Sequence, residues 1–235
     1  MLTQAQINDF HDHGYLVVEN VLTEAEVQAL KDAVARLERE NDREDISISW
    51  SEHHVTTILN LPMRSGPLSR VQRYRPILQL AEQLVGETVQ VTGGLLLDKT
   101  SKHNWDIGWH QDTGIYVAEI PSGDPEDIRG GLPVYTTKGL ELARNVTCRI
   151  ALDAATAASG GLYVLPDSHR TNLGGGEPVK QCFAHEKGIL AHQPSGSALF
   201  YAPLILHRSE KMTAPGRRRI LHLSYGPVDL KLPGV

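Results

Sequence analysis

The chain has 235 residues, with 23 Lys+Arg against 28 Asp+Glu for a formal charge of −5 at pH 7, and 40% of it is apolar before its 21 glycines are counted. That is enough to bury a core, which excludes a disordered or fibrous chain, and the lack of a basic surplus argues against a nucleic-acid partner. No apolar run approaches the roughly 18 residues of a membrane span, and the N-terminus lacks the charged-then-apolar layout of a signal peptide. A cytoplasmic protein is therefore expected, with no membrane partner, with Cys148 and Cys182 reduced, and with monomer and homodimer both open.

In chain order, two helices come first. Thr3-x-x-Gln6 and Thr23-x-x-Glu26 are capping-box patterns, each followed by apolar residues at helical spacing. The second is clearer, because Val27, Leu30, Val34 and Leu37 form one stripe while Lys31, Asp32, Arg36, Glu38 and Arg39 fall elsewhere. The first helix should stop at Gly14, and a short strand from Tyr15 to Val18 should join the two. A third helix, from Pro76 to about Val85, opens on a proline and closes at Gly86.

From Thr88 the pattern changes to short β-rich runs punctuated by Gly, Pro, Asp and Ser. The runs are Thr88–Leu97, Trp109–Val117, Val146–Asp153, Leu162–Leu165, Gly188–His192, Ser197–Tyr201, Leu204–Ser209 and Arg218–Tyr225. Eight of them fit a jelly roll. The expected fold is mainly β with N-terminal helices: a double-stranded β-helix, cupin-like, with a helical layer packed on it. We read one domain over residues 1–235, with the helical layer at about 1–87 and the β-core at about 88–226. The connection 118–144, rich in Gly and Pro, is too long for a neutral hairpin loop and reads as a lid.

The chemistry begins at His110-Gln-Asp112, which is a weak signal alone. On a strand, period-2 geometry turns His110 and Asp112 to one face and Gln111 to the other. Near the C-terminus, the apolar run Leu204-Ile-Leu leads into His207, with Ser209 on the same strand face. Two histidines and one carboxylate with open positions form the facial triad of non-haem Fe(II) oxygenases. The next feature is Arg217-Arg218-Arg219. Alternation places Arg218 with Ile220, His222 and Ser224, and leaves Arg217 and Arg219 as a solvated face. A single inward arginine is a fork suited to a carboxylate, so a dicarboxylic co-substrate such as 2-oxoglutarate would meet Arg218, with Ser209 as a second donor.

These residues resemble the phytanoyl-CoA dioxygenase family of Fe(II)/2-oxoglutarate-dependent oxygenases over nearly the whole chain. Phe10-His-Asp-His-Gly-Tyr-Leu-Val-Val18 is similar to the family's start, and His110-Gln-Asp112 to its metal motif. Ser159-Gly-Gly-Leu-Tyr-Val-Leu-Pro-Asp-Ser-His169 resembles the stretch that ends in a Pro-Gly-Ser-His signature, and His207-x-Ser209 with Arg218 matches the distal histidine, serine and co-substrate arginine. The resemblance implies metal ligation by His110, Asp112 and His207, and a cofactor set of Fe(II), 2-oxoglutarate and O2. It also implies co-substrate contacts from Arg218, Ser209, Leu95 and Lys99, and places Arg149 where members often have a tryptophan beside the co-substrate. Asp167 stands at the signature's usual glycine and Met212 where members often have asparagine, and the 118–144 connection is longer than usual. Because Asp112 is present, the chain does not resemble a halogenase of this chemistry.

The implied activity is oxidation of a small organic molecule, chiefly hydroxylation of an unactivated C–H bond, with release of succinate and CO2. Desaturation, cyclisation or epimerisation would use the same cofactors. The reading of another class is a non-catalytic cupin-like metal- or ligand-binding or sensor protein, which has no need for an inward arginine eleven positions after its last ligand.

Overall fold

In the computed structural model, residues 1–116, 127–129, 132–136, 140–170 and 182–229 are described. Helix α1 (Gln4–His13) starts on the reciprocal Thr3/Gln6 capping box and ends at Gly14, whose φ of 81° is left-handed. Strand β1 (Tyr15–Val18) follows, then α2 (Glu24–Glu40), which is capped by Thr23/Glu26 and buries Val27, Leu30 and Val34. Both capping boxes do what their spacing predicts.

The segment expected to be purely helical contains a hairpin, β2 (Ile48–Ser51) and β3 (His54–Ile58), and a short helix, α3 (Pro67–Arg70). Val55 to Ile58 is a β-branched run, and Glu52-His53 forms the turn before His54 opens β3. Helix α4 (Arg75–Val85) then ends at left-handed Gly86.

Strand β4 (Val89–Thr100) is longer than expected and so carries Lys99 within its ladder. The run expected as one strand from Trp109 is broken in two, β5 (Ile107–His110) and β6 (Gly114–Tyr116), with Asp112 in the gap; Val117 lies outside the described residues. Within the expected lid, β7 (Asp127–Arg129), β8 (Leu132–Thr136) and α5 (Leu140–Ala143) are described, and the remainder of 118–144 up to residue 139 lies outside the described residues. The rest of the chain supplies β9 (Val146–Ala151), β10 (Leu162–Val164), β11 (Ile189–Leu190), β12 (Ala198–Tyr201), β13 (His207–Ser209) and β14 (Arg217–Pro227).

These strands make a seven-stranded sheet ordered β1-β12-β9-β14-β4-β3-β2 and a four-stranded sheet ordered β11-β10-β13-β5, with a three-stranded sheet β6-β8-β7 beside them. All the pairings are antiparallel, including the long β4–β14 ladder from Val89↔Pro227 to Thr100↔Arg217. The architecture is the expected jelly roll. Its largest core lies outside the barrel, where Phe10, Val27, Leu30, Val34, Ile77 and Leu84 of the helices meet Leu96, Ile150, Phe200, Leu221 and Leu223 of the large sheet. Between the sheets a smaller cluster, Leu162, Val164, Leu199, Tyr201 and Ile205, closes one end.

Arg217 and Arg219 are not the solvated face expected of them. Arg217 pairs with the fully buried Asp98 and, at 2.8 Å, with Glu38 of α2, while Asp153 binds both Arg219 at 2.7 Å and Lys31 of α2 at 2.9 Å. Alternation turned these arginines away from the barrel interior correctly, but that side of the sheet is covered by α2, so they must be paired. No helix among the described residues is long and apolar enough to cross a membrane.

The signature turn packs back on the first helix. Asp167 adopts the left-handed conformation, φ 67°, that suits the glycine of the resembled motif, and its carboxylate lies 3.1 Å from Nδ1 of His13. His169 seats its ring over Gly14, where a Cβ would fall 2.5 Å from its Nδ1. Gly14→Ala is therefore expected to lose more stability than Gly86→Ala, which shares the left-handed backbone but meets nothing within 4 Å. The control should cost about 1–2 kcal/mol for the backbone alone. Urea unfolding of both variants checks this, and equal losses would show that the His169 contact is not restrictive.

Candidate active site

The metal-type cluster assembles from two strands of the four-stranded sheet and the gap that follows one of them. His110 and His207 are direct cross-strand partners on β5 and β13, with ring centroids 4.1 Å apart. Each ring is fixed by its own strand, because Nδ1 of His110 lies 2.9 Å from the Gly108 carbonyl and Nδ1 of His207 lies 3.0 Å from the Ile205 carbonyl. A proton on Nδ1 donated to that carbonyl leaves the Nε2 lone pair free as a ligand.

Asp112 is not held by a ladder. Its backbone N–H donates to Pro203 O at 2.9 Å, and the neighbouring Gln111 side chain donates to Leu204 O at 2.6 Å, so the gap between β5 and β6 docks on the loop leading to β13. Oδ1 of Asp112 then lies 3.5 Å from Nε2 of His207 and 3.8 Å from Nε2 of His110. One ligand atom from each of the three lies within 4.8 Å of the others.

The electrostatics suit a divalent ion. Burial pushes the Asp112 carboxyl up, but the neighbouring His207, His222 and His110 outweigh it and hold the group well below the usual range, so it is a carboxylate. His110 is pulled down to about 4 by burial first and then by His207. A neutral imidazole and an ionised carboxylate are the forms that bind metal. The donor set therefore fits Fe(II), as two histidines and one carboxylate should.

The Ser168 hydroxyl of the signature supports this arrangement. It donates to Leu165 O at 2.6 Å and accepts from Leu206 N–H at 2.8 Å, which buttresses the backbone next to His207.

Beside the triad, the inner face of the large sheet carries three cations. Lys99 sits opposite Arg218, and Arg149 opposite His222, which also faces Leu95 on β4. All three cations are buried, and among the described residues no carboxylate stands within ion-pair distance of any of them. Arg218 donates to Gly160 O at 2.6 Å while its Nε has no partner among the described residues. Lys99 donates to Ser209 Oγ at 3.1 Å and to Glu210 O at 2.7 Å, with its ammonium 5.1 Å from the ring centre of Trp105. Gly160 explains the Ser-Gly-Gly turn: with φ 70°, its Cβ would fall 2.6 Å from Glu210 O.

Thus Arg218, Ser209, Lys99, Leu95 and Arg149 share the inner surface that faces or flanks the triad. Met212 is buried, and its backbone is held in both directions by the Asn104 carboxamide at 2.8 Å. Trp109 points away from the metal ligands and packs on Leu206 with Arg208 over its ring. The side chain of Tyr116 lies outside the described residues, while His54 turns to Glu38. Sequence reasoning overlooked Tyr201, whose hydroxyl donates to Oδ2 of Asp112 at 2.6 Å. Alternation along β12 could have found it, since Leu199 and Tyr201 share the barrel face.

A jelly roll that converges two histidines and an aspartate on one point, next to positive charge awaiting an anion, is an oxygenase of the non-haem iron class. The family model described as phytanoyl-CoA dioxygenase matches residues 10–220, and the chain belongs to that family. It is similar to an ectoine dioxygenase of Bordetella parapertussis, 22% identical over 97% of this chain and 76% of the relative. It is also similar to a methylphosphonate hydroxylase of Gimesia maris, 26% identical over 95% and 80%. The solved structure of EctD from S. alaskensis with 2-oxoglutarate and 5-hydroxyectoine superposes with a TM-score of 0.76 at 21% identity, covering 98% of this chain and 78% of that one. The protein is an Fe(II)- and 2-oxoglutarate-dependent dioxygenase that uses O2.

Lys99 offers a test of the buried charge. Burial first, then the charges of Arg218 and Arg149, pull its amine down to about 7, against the opposing Asp106. A lysine that is harder to protonate in the folded than in the unfolded chain makes stability rise with pH from about 7 toward its ordinary value. Lys99→Met is therefore expected to be more favourable, relative to wild type, at about pH 6 than at about pH 8. Urea unfolding at both values reads this out, and a pH-independent difference would refute the depressed amine.

Proposed function

We propose that this enzyme hydroxylates a small organic molecule, coupling that oxidation to the conversion of 2-oxoglutarate into succinate and CO2. The observation that carries the co-substrate site is the row of buried cations without a carboxylate partner among the described residues, on the sheet face beside the ligand triad. Arg218, with Ser209 and Lys99, supplies the donors for the distal carboxylate. Leu95 gives the pocket an apolar wall, and Arg149 flanks the co-substrate on the side of His222. His110, Asp112 and His207 hold the iron, which when bound supplies the activation of O2.

The protein's own contribution is to fix two ligand imidazoles by their backbone contacts, orient the carboxylate and present fixed positive charge to a dianion. Fixed charge in a water-poor site favours an anion more strongly than the same charge in water. The substrate is a small molecule, as are ectoine and methylphosphonate, the compounds named for the relatives above.

The test is thermal unfolding of Mn(II)-loaded protein, in which Mn(II) replaces Fe(II) and prevents turnover, titrated with 2-oxoglutarate. At about 100 times its dissociation constant the ligand should add roughly 2.7 kcal/mol to the native state. Arg218→Met should abolish this response while leaving the ligand-free protein as stable as wild type or more so, because it removes an unpaired buried charge. His110→Ala should abolish it through the metal. No response in metal-loaded wild type would sink the co-substrate assignment.

A further inference from the structure

The carboxylate of Asp112 is gripped at one oxygen and open at the other. Oδ2 accepts from Tyr201 Oη at 2.6 Å and lies 3.8 Å from Nε2 of His222, whereas Oδ1 faces Nε2 of both ligand histidines. Behind this grip stands Arg149. Its Nη1 is 3.2 Å from Nδ1 of His222.

Direction follows from donor inventory. A guanidinium has donors and no acceptor, so Nδ1 of His222 must accept from Arg149, and the imidazole proton sits on Nε2, the nitrogen nearer Oδ2 of Asp112. The tyrosine hydroxyl donates its single proton to Asp112 directly. Two neutral donors are thus turned to the same carboxylate oxygen, and the buried cation orders the imidazole of the two.

We infer that Arg149 is a positioning residue which, acting through His222 beside the direct grip of Tyr201, holds Oδ2 of Asp112 back and presents Oδ1 to the iron. The inference rests on His110, Asp112 and His207 being the metal ligands. A carboxylate held to one oxygen occupies one coordination position, which keeps the others for co-substrate and O2. The three residues come from three adjacent strands of the large sheet, β12, β9 and β14, so the ladder itself sets their spacing. This role is separate from any contact Arg149 makes with 2-oxoglutarate, because it operates before that ligand arrives.

The experiment is a Mn(II) titration of the metal-free protein without 2-oxoglutarate, followed by the electron paramagnetic resonance signal of free Mn(II), with thermal unfolding of each metal-free variant alongside. Tyr201→Phe keeps the ring and removes the donor, so it should weaken Mn(II) binding about 10- to 100-fold, in the range found for outer partners of metal ligands, with the metal-free variant still folded at the titration temperature. Arg149→Met should weaken it as well, and Arg149→Lys, which keeps a charged donor, should restore part of the loss. In a His222→Phe background, Arg149→Met should have no further effect, since its intermediary is gone.

Wild-type affinity in both Tyr201→Phe and Arg149→Met, with His110→Ala abolishing binding, would overturn the inference and leave the ligand triad intact. A full effect of Arg149→Met in the His222→Phe background would also overturn it, by showing that the arginine acts directly. Unimpaired binding in His110→Ala would instead overturn the ligand assignment itself. Should Arg149→Met not fold, Tyr201→Phe and Arg149→Lys decide the matter.

Discussion

Three cations on the inner face of one sheet, with no carboxylate close enough to pair with them among the described residues, set the terms for the rest of this molecule. Burying an unpaired charge opposes folding, and here the opposition is visible in a lysine whose amine is pulled down to about 7 and an arginine pulled to about 9, each chiefly by burial. Carboxylates exist nearby. Asp98 adjoins Lys99 in sequence, but strand alternation turns it to the other side of the sheet, where Arg217 takes it. The positive charge inside the barrel is thus not neutralised by the neighbouring carboxylate.

A sheet that carries such a load on one face has to be stabilised from the other. The largest hydrophobic cluster lies between the helical layer and the outer face of the seven-stranded sheet, and full burial of each Leu, Ile, Val or Phe there contributes roughly 1.5–3 kcal/mol. The ion pairs follow the same division. Glu38–Arg217–Asp98 and Lys31–Asp153–Arg219 fasten α2 to β4, β14 and the turn after β9, on the side away from the iron. Odd and even positions of β14 therefore serve different ends: Arg218 and His222 face the chemistry, while Arg217, Arg219, Leu221 and Leu223 face the scaffold.

That division was largely legible in the residues themselves. Capping boxes at Thr3 and Thr23, the glycines at 14 and 86, and the alternation of Arg218 against its neighbours all act through local geometry, which a single sequence displays. What escaped was what lies across a gap in sequence. The β2–β3 hairpin belongs to the large sheet only because Thr57 and Ile58 pair with Leu97 and Leu96, and nothing local announces those partners. Arg217 and Arg219 were placed on the correct face, but whether that face meets water or a helix is decided by tertiary packing. Tyr201 looked like an ordinary strand aromatic because its partner is 89 positions away.

The break in the strand after His110 carries a further consequence. A ligand on a continuous strand is oriented by its ladder, as His110 and His207 are, facing each other as direct partners in the small sheet. Asp112 has no ladder, so its orientation depends on Pro203 O for its backbone and on Tyr201 of the large sheet for its carboxylate. Two of the three ligands therefore belong to one sheet, and the third takes its direction from the other. The carboxylate is thus oriented from across the barrel, where the apolar cluster of Leu162, Val164, Leu199 and Ile205 packs the two sheets together around Tyr201.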